Sequence, residues 1–226
     1  MVSSSTSPNR ILSRLSKADF RLLEPHLEAV DLPLRKQLAV RNKRVEHVYF
    51  IESGIASVVA NGETAIEVGL IGRDGMSGPS VVMGNTDKVP HETYMQIAGH
   101  GQRMGAAQLR DAIGTSTALH QVLLSYVHSF MTQTTQTALA NGRSKIEDRL
   151  ARWLLMAHDR VDGDELPLTH EFLAVMLGVR RSGVTVALQE LERKGLIAHR
   201  RSVLTIVDRD GLEHSSNGTY GPPNDW

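Results

Sequence analysis

One segment, Leu166–Val207, constrains the fold more than any other part of this sequence. Thr169 is typical of a helix N-cap and precedes a short helix with one apolar face. Gly178 permits the positive φ angle that a tight turn between two helices requires. A second helix is predicted over Arg181–Lys194, with Gly195 at the position that left-handed C-caps prefer. The segment therefore predicts a helix-turn-helix.

The second predicted helix separates its side chains into two faces. Val184, Leu188 and Leu191 recur at helical spacing, which predicts that they face the core. The same geometry turns guanidinium, hydroxyl and amide groups outward, and these groups match base edges and phosphates. We therefore expect DNA contacts from Arg181, Ser182, Thr185 and Gln189, together with the flanking Arg180, and we also assign Thr169 at the start of the first helix to the contact.

The residues after Gly195 predict two short strands joined by a basic tip at Arg200 and Arg201, which we also assign to the DNA contact. Such a hairpin can lie along a phosphate backbone as a wing. Between Arg180 and Arg209 there are seven Lys and Arg residues against three acids, whereas the chain as a whole balances 25 against 25. The local excess of positive charge favours a DNA-binding function for this part of the chain.

The sequence pattern of the region from about Val30 to Met104 is typical of a β-domain. Short runs rich in β-branched residues predict strands at His47–Ile51, Ile55–Ala60, Ala65–Leu70 and Thr93–Ile97. The dipeptide Asn61-Gly62 lies between two of them and is typical of a two-residue hairpin turn. This spacing indicates a β-barrel or sandwich and not βαβ units.

A long helix is predicted from about residue 115 to 140. Its apolar stripe can pack on the chain's own β-domain or pair with the same helix of a second copy. We favour the second alternative, so the predicted dimer interface consists of Leu119, Leu123, Tyr126, Val127 and Phe130. Asn141-Gly142 then breaks the pattern and predicts a hinge within Asn141–Lys145.

Composition and missing motifs exclude several classes of function. The chain has no cysteine, which excludes disulfides, thiolate metal sites and cysteine-ligated iron–sulfur clusters. There is no P-loop, no Ser nucleophile elbow and no H-E-x-x-H motif, so we expect no enzyme, no catalytic residue and no metal site. Neither a signal peptide nor a membrane-spanning run is apparent, which favours a cytoplasmic protein without a membrane partner.

Over LTHEFLAVMLGVRRSGVTVALQELERKGLI the chain resembles the catabolite activator and fumarate–nitrate regulator (Crp/Fnr) superfamily of bacterial transcription factors. The resemblance implies an α+β fold with an N-terminal double-stranded β-helix (a jelly roll of the cyclic-nucleotide-binding type), a long dimerisation helix and a C-terminal winged helix-turn-helix. It implies a β-roll sensor domain at 11–114, the dimerisation helix at 115–140 and the DNA-binding domain at 141–213. The polar residues at the two ends predict a disordered lead at 1–10 and a tail at 214–226.

The resemblance also implies an effector pocket at Ser77, Gly78, Ser80, His91, Glu92, Thr134 and Thr135. Relatives that bind cyclic AMP carry a Gly-Glu pair and a later Arg-Ser or Arg-Thr pair, whereas this chain has Pro79 at the glutamate position and His91-Glu92 as the later pair. A buried phosphate without its cation is costly, so the pocket is predicted to be degenerate and cyclic AMP is disfavoured. A haem held by His120 and His128 is disfavoured as well, and no cofactor is expected.

The sequence thus predicts a homodimeric, sequence-specific DNA-binding transcription regulator. Its expected partners are double-stranded DNA with a two-fold-symmetric operator, a second copy of itself and an unidentified small-molecule effector, with RNA polymerase as a further candidate. Two alternatives stay open, namely a cyclic-nucleotide-responsive regulator with an atypical pocket and a constitutive DNA-binding dimer without effector. The resemblance implies recognition helices in successive major grooves, roughly 34 Å apart.

Overall fold

The computed structural model describes residues 7–61, 65–85 and 88–221. These residues form two compact units, the first from residues 7–59 and 71–132, the second from residues 60–70 and 133–221. The tip of one β-hairpin is therefore part of the second unit, and one long helix begins in the first unit and ends in the second. The fold is the predicted α+β class.

The first unit is built mainly from β-strands, and the four predicted strands are the third to sixth of the chain. The strands are β1 Glu28–Leu32, β2 Gln37–Ala39, β3 His47–Ile51, β4 Ile55–Asn61, β5 Ala65–Ile71, β6 His91–Ile97 and β7 Gly99–Gly105. One sheet has the order β1-β7-β3 and the other β2-β6-β4-β5. Neighbours so distant in sequence are typical of a jelly roll. The predicted turn at Asn61-Gly62 lies partly outside the described residues.

Helices pack against this β-domain. They are α1 Arg10–Arg14, α2 Lys17–Leu23, α3 Pro79–Val82, α4 Ala106–Thr115 and α5 Thr117–Arg143. Before α1, Asn9 is fully buried, and its side chain caps the helix while donating to the carbonyls of Ile51 (2.7 Å) and Gly75 (2.8 Å). The disordered lead predicted for residues 1–10 is therefore wrong from Ser7 onward, because the cap side chain fixes the start of α1 to the strands.

The apolar stripe of α5 packs on its own β-domain. Leu119, Leu123, Tyr126 and Val127 are at most 4% exposed and belong to one core cluster, against which Phe130 also packs. Tyr126 further donates a hydrogen bond to the Met76 carbonyl at 2.6 Å. These five side chains are thus largely packed within the chain itself, which corrects the dimer interface that the sequence predicted for them.

The second unit contains a three-helix core and a small sheet. Its elements are α6 Ile146–His158, β8 Glu165–Pro167, α7 His170–Leu177, α8 Arg181–Arg193, β9 Ile197–Arg200, β10 Val203–Ile206 and α9 Arg209–Ser215. The sheet has the order β8-β10-β9, and both pairs are antiparallel. This arrangement of a helix-turn-helix followed by a β-hairpin is the predicted winged helix-turn-helix.

Polar contacts attach the hairpin tip and the C-terminal residues to this unit. The Gln133 side chain accepts from the Leu70 N–H (2.6 Å) and donates to the Leu70 carbonyl (3.1 Å). Arg152 donates to the Thr219 carbonyl at 2.9 Å, and the Tyr220 hydroxyl donates to Asp159. The tail predicted from residue 214 is therefore wrong as far as residue 220, since α9 and these bonds hold that part of the chain.

The break between α5 and α6 falls at Ser144 and Lys145. It lies within the predicted hinge, but α5 continues through Asn141 and Gly142, where the sequence suggested that the helix would stop. A single glycine costs a helix about 1 kcal/mol, which packing can offset.

Within the described ranges, no helix combines the length and apolar character that crossing a membrane requires.

Candidate nucleic-acid interface

The helix-turn-helix is set by local capping. The Thr169 hydroxyl accepts a hydrogen bond from the Phe172 N–H at 3.2 Å and so begins α7. Gly178 ends α7 with a φ angle of 61°, the left-handed conformation that glycine adopts without a steric penalty. Arg180 then stands at the N-cap of α8 in extended conformation. The predicted helix-turn-helix, with its N-cap and its glycine, is confirmed.

The recognition helix α8 is amphipathic in the predicted sense. Val184, Leu188 and Leu191 are at most 3% exposed. On the opposite face, Ser182 and Gln189 are exposed, and Val186 lies between them with 65% exposure. The outward face of α8 therefore offers a hydroxyl, an amide and an apolar group side by side, a set that can meet both polar base edges and a thymine methyl.

Thr185 departs from the predicted outward orientation. It is half-buried, its hydroxyl donates to the Arg181 carbonyl at 3.1 Å, and the same oxygen lies 3.0 Å from His170 Nδ1. The side chain thus joins α8 to the first residue of α7. It holds the recognition helix in place, and its hydroxyl is already occupied.

Ion pairs divide the seven basic residues of this segment into two groups. Arg193 forms two hydrogen bonds to Glu190 (2.7 and 2.9 Å), Lys194 pairs with Glu147, and Arg209 pairs with Asp159 at 2.7 Å. Among the residues that the structure describes, no ion pair involves the remaining four, which are all exposed: Arg180, Arg181, Arg200 and Arg201. The free positive charge is therefore concentrated at the start of α8 and in the wing.

The wing is a tight β-hairpin. Arg200 pairs with Val203, and the two residues between them, Arg201 and Ser202, have φ angles of 48° and 65°. Two consecutive positive φ angles are the signature of a type I′ turn, in which Asn and Gly are the usual residues. An arginine in this strained position points to a use for its charge at the tip of the wing.

Sequence reasoning missed two histidines at this surface. His170 Nε2 lies 3.4 Å from His199 Nδ1, and the two rings are 4.8 Å apart between centroids. In the sequence, His170 stands out only as part of an incomplete metal motif, and His199 not at all. No local spacing links positions 29 residues apart, so only the fold brings them together.

The residues predicted for an effector pocket have structural roles in several cases. Ser77 is buried, and its hydroxyl accepts from the Tyr49 N–H at 3.0 Å. Gly78 caps α3 with a φ angle of 75°. His91 and Glu92 begin β6 half-buried, and burial lowers the pKa of His91. The three others also have their places: Ser80 lies in α3, and Thr134 and Thr135 lie in the part of α5 that belongs to the second unit.

Comparison with known proteins agrees with this geometry. Residues 148–215 match the family model of the Crp-like helix-turn-helix domain. No curated protein sequence matches the chain. Among solved structures, a Crp/Fnr-family transcriptional regulator from Eubacterium rectale is similar over 93% of this chain and 99% of its own, with a TM-score of 0.71 at 17% identity.

Two further solved structures have the same fold. A CRP-family transcriptional regulator from Thermus thermophilus covers 86% of this chain and 99% of its own, with a TM-score of 0.69 at 16% identity. The global regulator CLP of Xanthomonas campestris, described as responsive to c-di-GMP, covers 84% and 99%, with a TM-score of 0.67 at 17% identity. The matched helix-turn-helix family consists of transcription regulators, not of enzymes.

Proposed function

We propose that this chain, which carries a Crp-like helix-turn-helix domain on the fold of the Crp/Fnr transcription regulators, binds specific DNA sequences as a homodimer and regulates transcription in the cytoplasm. The observation that supports this most strongly is the group of four exposed arginines without an ion pair in the described structure, at the start of the recognition helix and in the wing. Such a group matches a phosphate backbone on both sides of a major groove.

The outward residues divide into two roles in this proposal. Arg181, Ser182 and Gln189 are placed to meet base edges from α8, with Val186 against an apolar group of the groove. The remaining proposed contacts go to phosphates and fix the register of the domain, from Thr169, Arg180, Arg200 and Arg201. Thr185 contributes indirectly in this proposal. Its hydroxyl is bonded to the Arg181 carbonyl and to His170 of α7, so it holds the recognition helix in position.

The experiment that tests the function is selection of random DNA duplexes by the purified full chain, without ligand and with cyclic AMP or cyclic di-GMP. Enrichment of a two-fold-symmetric site in all three arms supports a regulator that needs neither nucleotide. Enrichment in one nucleotide arm alone identifies the effector class and overturns the degenerate pocket. Failure to enrich any site in any arm contradicts the proposed function.

Replacing Arg181 by Ala should weaken binding to the selected duplex by about 1–3 kcal/mol, which is roughly 5- to 150-fold in Kd. The loss is expected because this exposed side chain can form two hydrogen bonds to a guanine. Fluorescence anisotropy with the selected duplex measures it. Arg41→Ala removes the same charge from an exposed position of the first unit and serves as the control. If Arg181→Ala binds the duplex as tightly as wild type does, Arg181 is not one of the residues that contact the bases.

We assign the dimer contact to a different face of α5 from the one the sequence suggested. His128, Met131, Thr135 and Ala138 follow one another at intervals of three, four and three residues, which is the spacing of a coiled-coil seam. All four are exposed in the single chain, Met131 by 56%. A second copy of α5 packed on this seam would give the two-fold arrangement that a symmetric operator requires.

Met131→Glu should therefore separate the subunits. Each copy would lose a buried methionine, worth about 1.5–3 kcal/mol, and place a carboxylate opposite its twin, so the dimer Kd should rise by roughly 100-fold or more. Sedimentation velocity over a concentration series measures this change. Gln136→Glu adds a charge at an exposed position beside the seam and should leave the dimer intact. If Met131→Glu sediments as wild type does, the seam lies elsewhere.

A further inference from the structure

Four polar groups connect the three parts of the proposed DNA surface. They are the Arg181 carbonyl and the Thr185 hydroxyl on α8, His170 at the start of α7, and His199 on the wing strand β9. Every link lies within the second unit. These groups form a series of hydrogen bonds that joins the recognition helix, the helix before it and the wing. Among the four groups, the two imidazoles are the titratable ones.

The donors and acceptors in this series of hydrogen bonds determine which ring nitrogens carry a proton in the neutral pair. The Thr185 hydroxyl donates to the Arg181 carbonyl, so its oxygen accepts from His170 Nδ1–H. His170 Nε2 is then unprotonated and accepts from His199 Nδ1–H across 3.4 Å. His199 Nε2 is left as a buried nitrogen without a hydrogen-bond partner in the structure. The neutral pair thus ends in an unused proton-accepting site.

One added proton leaves every contact of the pair in place. His170 would then donate from both nitrogens, to Thr185 and to His199 Nδ1, while His199 carries its hydrogen on Nε2. A second added proton would turn two N–H groups towards each other. The geometry therefore accommodates one positive charge on the pair and excludes two.

The charges around the pair decide when that proton binds. Burial, then His199 and Arg181, lower the pKa of His170 in the free chain. Other charged groups beside the pair are Glu192, whose carboxylate accepts from the backbone N–H of His199 at 3.2 Å, with Glu171 and Arg200 as sequence neighbours. The DNA phosphates that Thr169 and Arg200 are proposed to contact would bring negative charge next to the pair and so favour its protonated form.

We propose that the His170–His199 pair takes up one proton when the domain binds DNA, so that acidification strengthens binding. This rests on the proposed function. The sign follows from linkage, because the DNA-bound pair holds its proton to a higher pH than the free pair. Affinity should be constant above the bound-state pKa, rise as pH falls towards the free-state pKa, and level off below it, by roughly tenfold per pH unit per domain at most.

The test measures Kd for the selected duplex from pH 8.0 to 5.5 at constant ionic strength, with the full chain. Wild type should bind more tightly as pH falls, and His199→Gln should show a flat profile. His214→Gln is the matched control, because His214 is exposed on α9, its ring bonds the Asp210 carbonyl of the same helix, and its loss should leave the wild-type slope unchanged. A wild-type slope retained in His199→Gln, or a flat wild-type profile with tight binding, overturns the proposal.

NMR titration of the wild-type histidine ring protons keeps the proposal testable even if a variant does not fold. The pKa of the pair should be higher in the presence of the selected duplex than in its absence, and an unchanged pKa contradicts proton uptake. If the chain binds no duplex at any pH, the proposed function itself fails, an outcome distinct from specific binding without pH dependence.

Discussion

Glu67→Leu is expected to destabilise the second unit by about 3–5 kcal/mol, the cost of leaving a buried charge and a buried donor without the group that compensates them. Glu67 lies on β5, is 4% exposed, and accepts a hydrogen bond from Trp153 Nε1 at 2.6 Å. Its charge also supports Arg152, which is 6% exposed on α6. Leucine would fill the space but leave the guanidinium without its counter-charge and the indole N–H without its acceptor.

The state of Arg152 shows why the effect should be large. The pKa of Arg152 is lowered to about 10, chiefly because the side chain is buried; Glu67 opposes this shift, and Arg160 adds to it. Arg152 also donates to the Thr219 carbonyl, so it cannot leave for solvent without releasing the C-terminal residues. The carboxylate is therefore needed where the chain has buried two guanidinium groups, and neutralising it should cost more than losing one hydrogen bond.

Urea unfolding followed by circular dichroism and by tryptophan fluorescence measures this prediction. Glu165→Leu, at an exposed strand position of the same unit, should change stability by less than about 0.5 kcal/mol. Glu67→Gln keeps the shape and an oxygen for the indole, and should fall between the two. In the double variant Glu67→Leu/Arg152→Met the loss should be smaller than the sum of the single losses, and strict additivity would show that the two groups are not coupled.

Local signals in the sequence were sufficient for the helix-turn-helix. Thr169 was recognisable as an N-cap, and Gly178 as a turn residue, because their hydrogen bonds run to groups within four positions. Strand β3 was predicted at its observed bounds, since a run of β-branched and aromatic residues between turn signals reports directly on its own conformation. In each of these elements, the interactions that determine the structure are between residues close together in sequence.

What could not be predicted depends on partners far away in sequence. Asn9 looks like a residue of a polar lead until Ile51 and Gly75 supply the acceptors for its amide, 42 and 66 positions later. Glu67 and Trp153 are 86 positions apart. A helical stripe such as that of α5 predicts an apolar face but carries no information on what covers it, which is why the sequence favoured a second copy where the β-domain covers the stripe.

The same distinction applies within the proposed DNA surface. The sequence identified the basic residues, but only ion-pair geometry separates the arginines that neighbouring glutamates neutralise from those that stay exposed, since Glu190 reaches Arg193 on α8 and nothing comparable reaches Arg181 in the described structure. Thr185 was placed outward by helical spacing, and a histidine from α7 makes it a link between helices. Helical spacing predicts which way a side chain points, whereas the tertiary structure decides whether its polar group is free to contact DNA.

Gly178→Val should destabilise the second unit by about 3 kcal/mol through two separable effects. The φ angle of 61° is one that a β-branched residue scarcely adopts, and a Cβ at this position would lie 2.9 Å from Ile66 Cδ1 on β5. At Gly195 the φ angle is 75°, and a Cβ there would meet no atom within 4 Å apart from its own chain neighbours. Gly195→Val therefore carries the backbone strain alone.

Urea unfolding of the two valine variants and of Gly178→Val/Ile66→Ala separates the effects. Because Ile66 meets the turn with the end of a flexible side chain, we expect most of the loss at Gly178 to be backbone strain shared with Gly195→Val. Relative to Ile66→Ala alone, the double variant should lose less than Gly178→Val loses relative to wild type. A Gly178→Val chain as stable as wild type would show that the turn can adopt another conformation, and the positive φ would then not be what fixes α8 against α7.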